Sequence, residues 1–279
     1  MVVCELGKNM QITLAGYVID ELIYDSSRTI VYRATKTTER QPVVIKILKS
    51  QLPRIDEIAR FKQEYQILSQ LDFVGIVKAY GLEKYQNKLV LILEDFAGKS
   101  LKEFTQTKQL NLKEFLQIAI QLTTALSFVH QNNIIHKDIK PKNILINPQT
   151  KQVKITDFSI ASRLTKETPV FRTSKLLEGT LAYISPEQTG RINRNVDYRC
   201  DFYSLGVTFY ELLTNSLPFT STDPLELIHC HIAKQPTSPR QLQQDIPVAL
   251  SNLVMKLLAK NAEDRYQTAL GIKADLESN

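Results

Sequence analysis

Ile134-Ile135-His136-Lys137-Asp138-Ile139-Lys140-Pro141-Lys142-Asn143-Ile144-Leu145-Ile146 sets a carboxylate, an amine and an amide within a few positions, between two apolar runs. Apolar β-formers around a charged centre read as strand, polar loop, strand. Charged side chains bracketed in this way are seldom buried without partners. Asp138 can take a proton from a hydroxyl, Lys140 can neutralise a phosphate, and Asn143 can offer a neutral oxygen to a metal. A solvated loop between strands is the bland alternative, and this stretch by itself does not exclude it.

The remaining chain narrows the choice. Its 279 residues suffice for one large core or two lobes. Composition is that of an ordinary globular protein, 43% hydrophobic and 23% charged. No apolar run approaches the ~18 residues that span a bilayer. Met1-Val2-Val3-Cys4-Glu5 has no basic stretch followed by an apolar one, so no secretory signal is read. Cys4, Cys200 and Cys230 are widely spaced and odd in number, which argues against a disulfide framework and a zinc site. Together these predict a cytoplasmic protein without a membrane segment. The net charge of +6, from 35 basic and 29 acidic residues, is scattered without a dense stripe, so nucleic acid is not an expected partner.

Alternation over Tyr17–Tyr24 and Thr29–Ala34, joined by Asp25-Ser26-Ser27-Arg28, predicts a hairpin. Val43-Val44-Ile45-Lys46-Ile47-Leu48 is a strand carrying one lysine, which needs an anion if buried and reaches water if the strand is at an edge. Ile55, Ile58, Phe61, Tyr65, Leu68 and Leu71 recur at steps of three and four, predicting a helix over Arg54–Leu71 with Glu64 beside its apolar stripe. Strands are predicted at Ile76–Leu82 and Lys88–Leu93, with a break at Glu94–Gly98. Asn111 followed by Glu114 marks the start of a long helix ending at His130. Lys154-Ile155-Thr156-Asp157 is a short strand ending in a carboxylate. Apolar helices follow over Asp201–Leu213, Leu225–Ile232, Val248–Leu258 and Thr268–Leu276.

His136, Lys137, Asp138 and Asn143 resemble the H-R-D-x-x-x-x-N catalytic loop of protein kinases, and Lys140 resembles the serine/threonine branch. Val43-Val44-Ile45-Lys46 is similar to V-A-I-K, and Glu64 to the helix glutamate that pairs with its lysine. Asp157-Phe158-Ser159 resembles D-F-G. Gly179-Thr180 and Ser185-Pro186-Glu187 resemble the end of the activation segment, and Asp201-Phe202-Tyr203-Ser204-Leu205-Gly206 resembles D-x-W-S-x-G. Seven motifs in order, covering Tyr17 to Leu276, identify the chain as a member of the eukaryotic-like (Hanks-type) serine/threonine protein kinase family.

The resemblance implies an α+β, bilobal fold: a lead-in over 1–16, a small antiparallel sheet lobe with one helix over 17–96, and a larger mainly helical lobe over 97–279. It implies ATP and magnesium as cofactors. Asp138, Lys140, Lys46 and Glu64 would be catalytic, and Asn143 and Asp157 metal ligands. Lys46, Val31, Val44, Leu22, Glu94, Phe96, Leu145, Ser26 and Thr29 would contact ATP, with Leu93 as gatekeeper. His136 would anchor the loop, Asp201 would hold its backbone, and Glu187 would pair with Arg265. Protein substrates bearing serine or threonine are the implied partners. Ser185–Arg191 with Arg194, Asp197 and Tyr198 is similar to one bacterial, often cyanobacterial, subgroup in which the kinase domain precedes ATPase-like and sensor histidine-kinase modules, so further domains of a longer polypeptide are expected.

Three departures qualify the resemblance. Tyr24, Ser26 and Thr29 stand where the phosphate loop carries glycines, which let backbone approach phosphate closely. Ser159 replaces the D-F-G glycine. Lys137 replaces an arginine whose fork grips a phosphorylated activation segment, and lysine supplies only a point charge. An active kinase is therefore weighed against a nucleotide-binding regulatory module that transfers little or nothing.

Overall fold

A computed structural model describes residues 14–50, 52–163, 181–192 and 194–278. They fall into two compact units, one of residues 14–65 and 78–95 and the other of 66–77 and 96–278.

The first unit is built on strands β1 (Tyr17–Asp25), β2 (Thr29–Lys36) and β3 (Gln41–Leu48), helix α1 (Ile55–Leu68), whose last residues belong to the second unit, and strands β4 (Ala79–Tyr85) and β5 (Lys88–Glu94). The sheet is antiparallel in the order β1-β2-β3-β5-β4. Successive strand side chains point to opposite faces. Ala34, Val43, Ile45, Ile47, Val90 and Ile92 thus close one packed core. Val31, Lys46 and Leu91 form a row on the other face, beside the row Arg33, Val44 and Leu93.

Two expectations change here. Ile55 is 88% exposed, and the buried stripe of α1 starts at Phe61 and passes through Glu64 to Ile67 and Leu68. The strand expected from Ile76 begins at Ala79. Ile76 bridges Ile155 instead, and the Val77 N–H donates to the Ile155 carbonyl at 3.0 Å, both within the second unit. An apolar run states that residues are buried, not which strand they pair with.

The second unit opens with β6 (Lys99–Ser100), α2 (Leu101–Thr107) and α3 (Leu112–Gln131). Asn111 Oδ1 accepts from the Glu114 N–H at 2.9 Å and closes the expected capping box. The same device, Ser100 with Glu103, starts α2, which periodicity did not reveal because the helix has only 7 residues. Strands β7 (Ile134–Ile135), β8 (Ile144–Ile146), β9 (Val153–Ile155) and β10 (Ser162–Arg163) follow. β8 lies between β6 and β9, and β7 pairs with β10. The charged stretch is thereby pinned at both ends by short antiparallel ladders. Helices α4 (Arg199–Thr214), α5 (Pro224–Ala233), α6 (Pro239–Leu242), α7 (Val248–Leu257) and α8 (Ala269–Glu277) complete the unit. α4 is buried along nearly its whole length. A Cβ at Gly206 would meet Leu257 Cβ at 2.7 Å, so this glycine sets the close approach of α4 and α7.

An α+β chain with a small antiparallel sheet and a mainly helical part is what the motifs implied. Among the described residues no helix is long and apolar enough to cross a membrane.

Candidate active site

Lys46 sits on the sheet face opposite the core, directly across from Val31 and Leu91. Its Nζ donates to both oxygens of Glu64 at 2.8 Å. Glu64 is 1% exposed within the buried stripe of α1, where an unpaired carboxylate would be costly. Strand and helix periodicity thus force the pair: one side chain leaves the sheet, the other leaves the helix, and each neutralises the other.

Leu22 departs from its expected place. A bulge between Leu22 and Tyr24 sets Leu22 opposite Tyr32, which packs on the core face, and Tyr24 opposite Val31. Leu22 therefore does not share the face of Val31, Val44 and Lys46. The hairpin tip closes on itself. Ser26 Oγ accepts from the Thr29 N–H at 2.9 Å and the Arg28 N–H at 3.3 Å. It also lies 2.9 Å from the Thr29 carbonyl as a donor. The amides that a glycine loop would turn toward phosphate are occupied by this hydroxyl. The Glu94 N–H is likewise committed, to Lys78 O at 2.9 Å.

In the second unit, Asp138 and Lys140 are brought together by the extended backbone of Lys140 ahead of the turn Pro141–Asn143. Lys140 Nζ donates to both Asp138 oxygens, at 2.8 and 2.7 Å. Asn143 Nδ2 donates to Asp138 Oδ2 at 2.7 Å and to the Asp138 carbonyl at 2.9 Å. The donor end of that amide is thus committed, and its oxygen is turned away from the carboxylate. Burial pushes the Asp138 carboxyl above its ordinary value, against the lowering effect of Lys140; the charge of Asp157 pushes the same way as burial. Asp157 follows β9 in a left-handed conformation, φ 63°. Ser159 is not among the residues of positive φ, so this arrangement asks no glycine of it. Phe158 is fully buried, edge-on to His136 at 4.6 Å. Leu145 lies on the face of β8 opposite the buried Ile144 and Ile146.

Two further residues fix the loop. Lys137 is left-handed too, φ 68°, a conformation costing an L-residue roughly 1–2 kcal/mol. Asp201, fully buried in the first turn of α4, accepts from the His136 N–H at 2.9 Å and the Lys137 N–H at 2.7 Å. Burial raises the Asp201 pKa, but the His130 hydrogen bond and charge outweigh it and leave the carboxyl below its ordinary value. His130, at the end of α3, is the partner that reaches Asp201, its Nε2 lying 2.9 Å from Oδ2. His136 Nδ1 accepts from the Asp138 N–H at 3.2 Å, which places the ring proton on Nε2, where Thr156 O lies at 3.2 Å.

A protein kinase domain model matches residues 18–275. The chain belongs to the protein kinase domain family. It is 34% identical to serine/threonine-protein kinase PknB of Mycobacterium leprae, over 93% of this chain and 42% of that protein. It is 34% identical to serine/threonine-protein kinase PrkC of Bacillus subtilis, over 94% of this chain and 40% of that protein. A probable serine/threonine-protein kinase of Clostridium acetobutylicum is 33% identical, over 94% and 39%. The chain spans about two fifths of the length of these curated relatives.

Arg265 grips Glu187 with Nη1 and Nη2 at 2.6 and 2.9 Å, both side chains nearly inaccessible to water. The same guanidinium also donates to the carbonyls of Ala259, Arg199 and Lys260, bonds that no motif announces. Thr165, Thr168, Thr173, Ser174, Gly179 and Thr180 lie outside the described residues. Phe96 is placed by Asn147, whose Nδ2 donates to its carbonyl at 3.3 Å.

Proposed function

We propose that this chain transfers the γ-phosphoryl group of ATP to serine or threonine hydroxyls of proteins, in bacterial signalling. One observation carries the reading: a buried carboxylate of raised pKa, Asp138, held by an ammonium and an amide in a loop tied down by Asp201. A carboxylate whose pKa is raised is the better proton acceptor once ionised. Asp138 orients the hydroxyl and takes its proton. Lys140 stabilises the transferring phosphoryl group. Lys46, braced by Glu64, positions the α- and β-phosphates.

The donor set of Asn143 and Asp157 suits magnesium: one neutral oxygen from an amide whose nitrogen is committed elsewhere, and one carboxylate. Bound there, magnesium would neutralise charge between the phosphates. The apolar side chains of Val31 and Val44, and separately that of Leu145, would suit an adenine ring, and the Glu94 carbonyl and the Phe96 N–H its polar edge. Neighbouring domains of a longer polypeptide would carry the signal in.

A second reading, nucleotide binding without transfer, draws support from the hairpin tip, where Ser26 consumes the amides that would hold phosphate. Labelled ATP separates the two. The γ-label should reach the chain itself or a generic basic protein, and Lys46→Met should abolish this. Retained ATP with no transfer would favour the second reading.

Two further outcomes follow from the departures. Ser26→Gly frees the Arg28 and Thr29 amides, and one added N–H bond to phosphate is worth about 1 kcal/mol, so the KM for ATP should fall about fivefold. Steady-state titration checks this; an unchanged or higher KM contradicts it. Alanine at Ser162, Thr165, Thr168, Thr173 and Ser174 together should leave most activity, because Lys137 has no fork for a phosphorylated partner. Total loss in a transfer assay would refute that.

A further inference from the structure

The catalytic loop must aim Asp138 from a strained backbone. The peptide between Lys137 and Asp138 follows a left-handed residue, and its plane sets the direction of the Asp138 side chain. Its N–H donates to His136 Nδ1 at 3.2 Å. Its carbonyl, Lys137 O, accepts from Gln188 Nε2 at 3.0 Å, from a residue fifty-one positions away. The Gln188 amide is itself oriented: its Oε1 accepts from the Ser185 N–H at 3.1 Å and Ser185 Oγ at 3.0 Å. A backbone N–H can only face the oxygen, so the nitrogen must face Lys137. Ser185 is fully buried, which makes this a fixed anchor.

We infer that Gln188 is a positioning residue for phosphoryl transfer: it clamps the Lys137–Asp138 peptide and so holds Asp138 in register with the hydroxyl it must deprotonate. Strained backbone persists only where its surroundings over-determine it. Here Asp201 fixes the peptide before Lys137, while His136 and Gln188 fix the one after it. The clamp ties the loop to the Ser185–Gly190 segment with neutral, permanent groups. Its groups include none of residues 164–180, and it restrains the loop through an amide rather than through a guanidinium fork at position 137.

The inference rests on the kinase reading, and its test separates the two. Gln188→Glu keeps an oxygen for Ser185 and turns the donor to Lys137 O into a carboxylate oxygen that repels that carbonyl. Gln188→Met, which removes the donor without adding charge, is measured beside it and should show the same losses. Using the full chain, kcat for transfer to a generic basic protein should fall about tenfold or more, because small misplacements of a catalytic group are costly, while the KM for ATP changes by less than about twofold. Hydrogen exchange at the Asp138 amide should accelerate about tenfold, with the melting temperature unchanged. A kcat within about twofold of the unaltered chain, or unchanged exchange at Asp138, would overturn the clamp. A kcat loss matched by a fall in melting temperature would also overturn it, as a merely structural role. If the unaltered chain transfers nothing, the kinase reading fails, and the exchange comparison still decides whether Gln188 holds the peptide.

Discussion

Asp138→Asn should reduce phosphoryl transfer about a thousandfold while leaving the melting temperature at or above that of the unaltered chain. A positioned general base contributes roughly 10²–10⁴-fold, and asparagine cannot accept the proton. The stability half follows from linkage. Burial raises the Asp138 pKa in the folded state. A carboxyl raised in this way stabilises the fold most when protonated, below its unfolded pKa, and that contribution is lost as pH rises through the folded value. At neutral pH the ionised group therefore opposes folding even with Lys140 beside it; the neutral amide removes that opposition, and its oxygen still accepts from Lys140 Nζ. The same shift sets the acid limb of the pH profile: transfer should fail on acidification at a pH above that of an ordinary aspartate. Melting curves and pH-rate profiles measure both. A melting temperature well below that of the unaltered chain would contradict the linkage argument.

Arg265→Ala should destabilise the fold by about 3–5 kcal/mol, the range for removing one partner of a buried ion pair. Glu187 would be left as an uncompensated charge, and it is 4% exposed. The carbonyls of Ala259, Arg199 and Lys260 would lose their donor at the same time. For a domain of this size the melting temperature should drop by about 10 °C. Arg265→Lys should recover only part, because one ammonium cannot reach a bidentate carboxylate and three carbonyls together. Denaturant unfolding of both variants decides; a loss under about 1 kcal/mol for the alanine variant would show that the pair does not support the architecture.

Much of this was legible wherever one periodicity governs one side chain. Lys46 stands alone in an apolar strand, and Glu64 lies on a helical stripe, so their meeting in one ion pair follows from strand and helix geometry together. The Asn111–Glu114 box announced α3 for the same local reason. What escaped depends on partners distant in sequence. Ile76 and Val77 look like the start of a strand and instead join Ile155. The bulge at Leu22–Tyr24 shifts β1 by one residue and turns Leu22 to the other face, because a strand has period two. Gln188 carries no signature beyond its place after Ser185-Pro186-Glu187, since an amide serving a distant carbonyl leaves no pattern. The buried pair of Tyr203 and His231, 3.0 Å apart, is equally silent. There burial, aided by Lys260, lowers the His231 pKa to about 3, and the ring stays neutral.

The most direct test is the identity of the product. The chain is incubated with ATP, magnesium and a generic basic protein, and the residues of both proteins are then examined by mass spectrometry. The account predicts phosphoserine or phosphothreonine in the presence of the unaltered chain and none with Asp138→Asn. Nucleotide bound to the unaltered chain with no phosphorylated residue on either protein would contradict it.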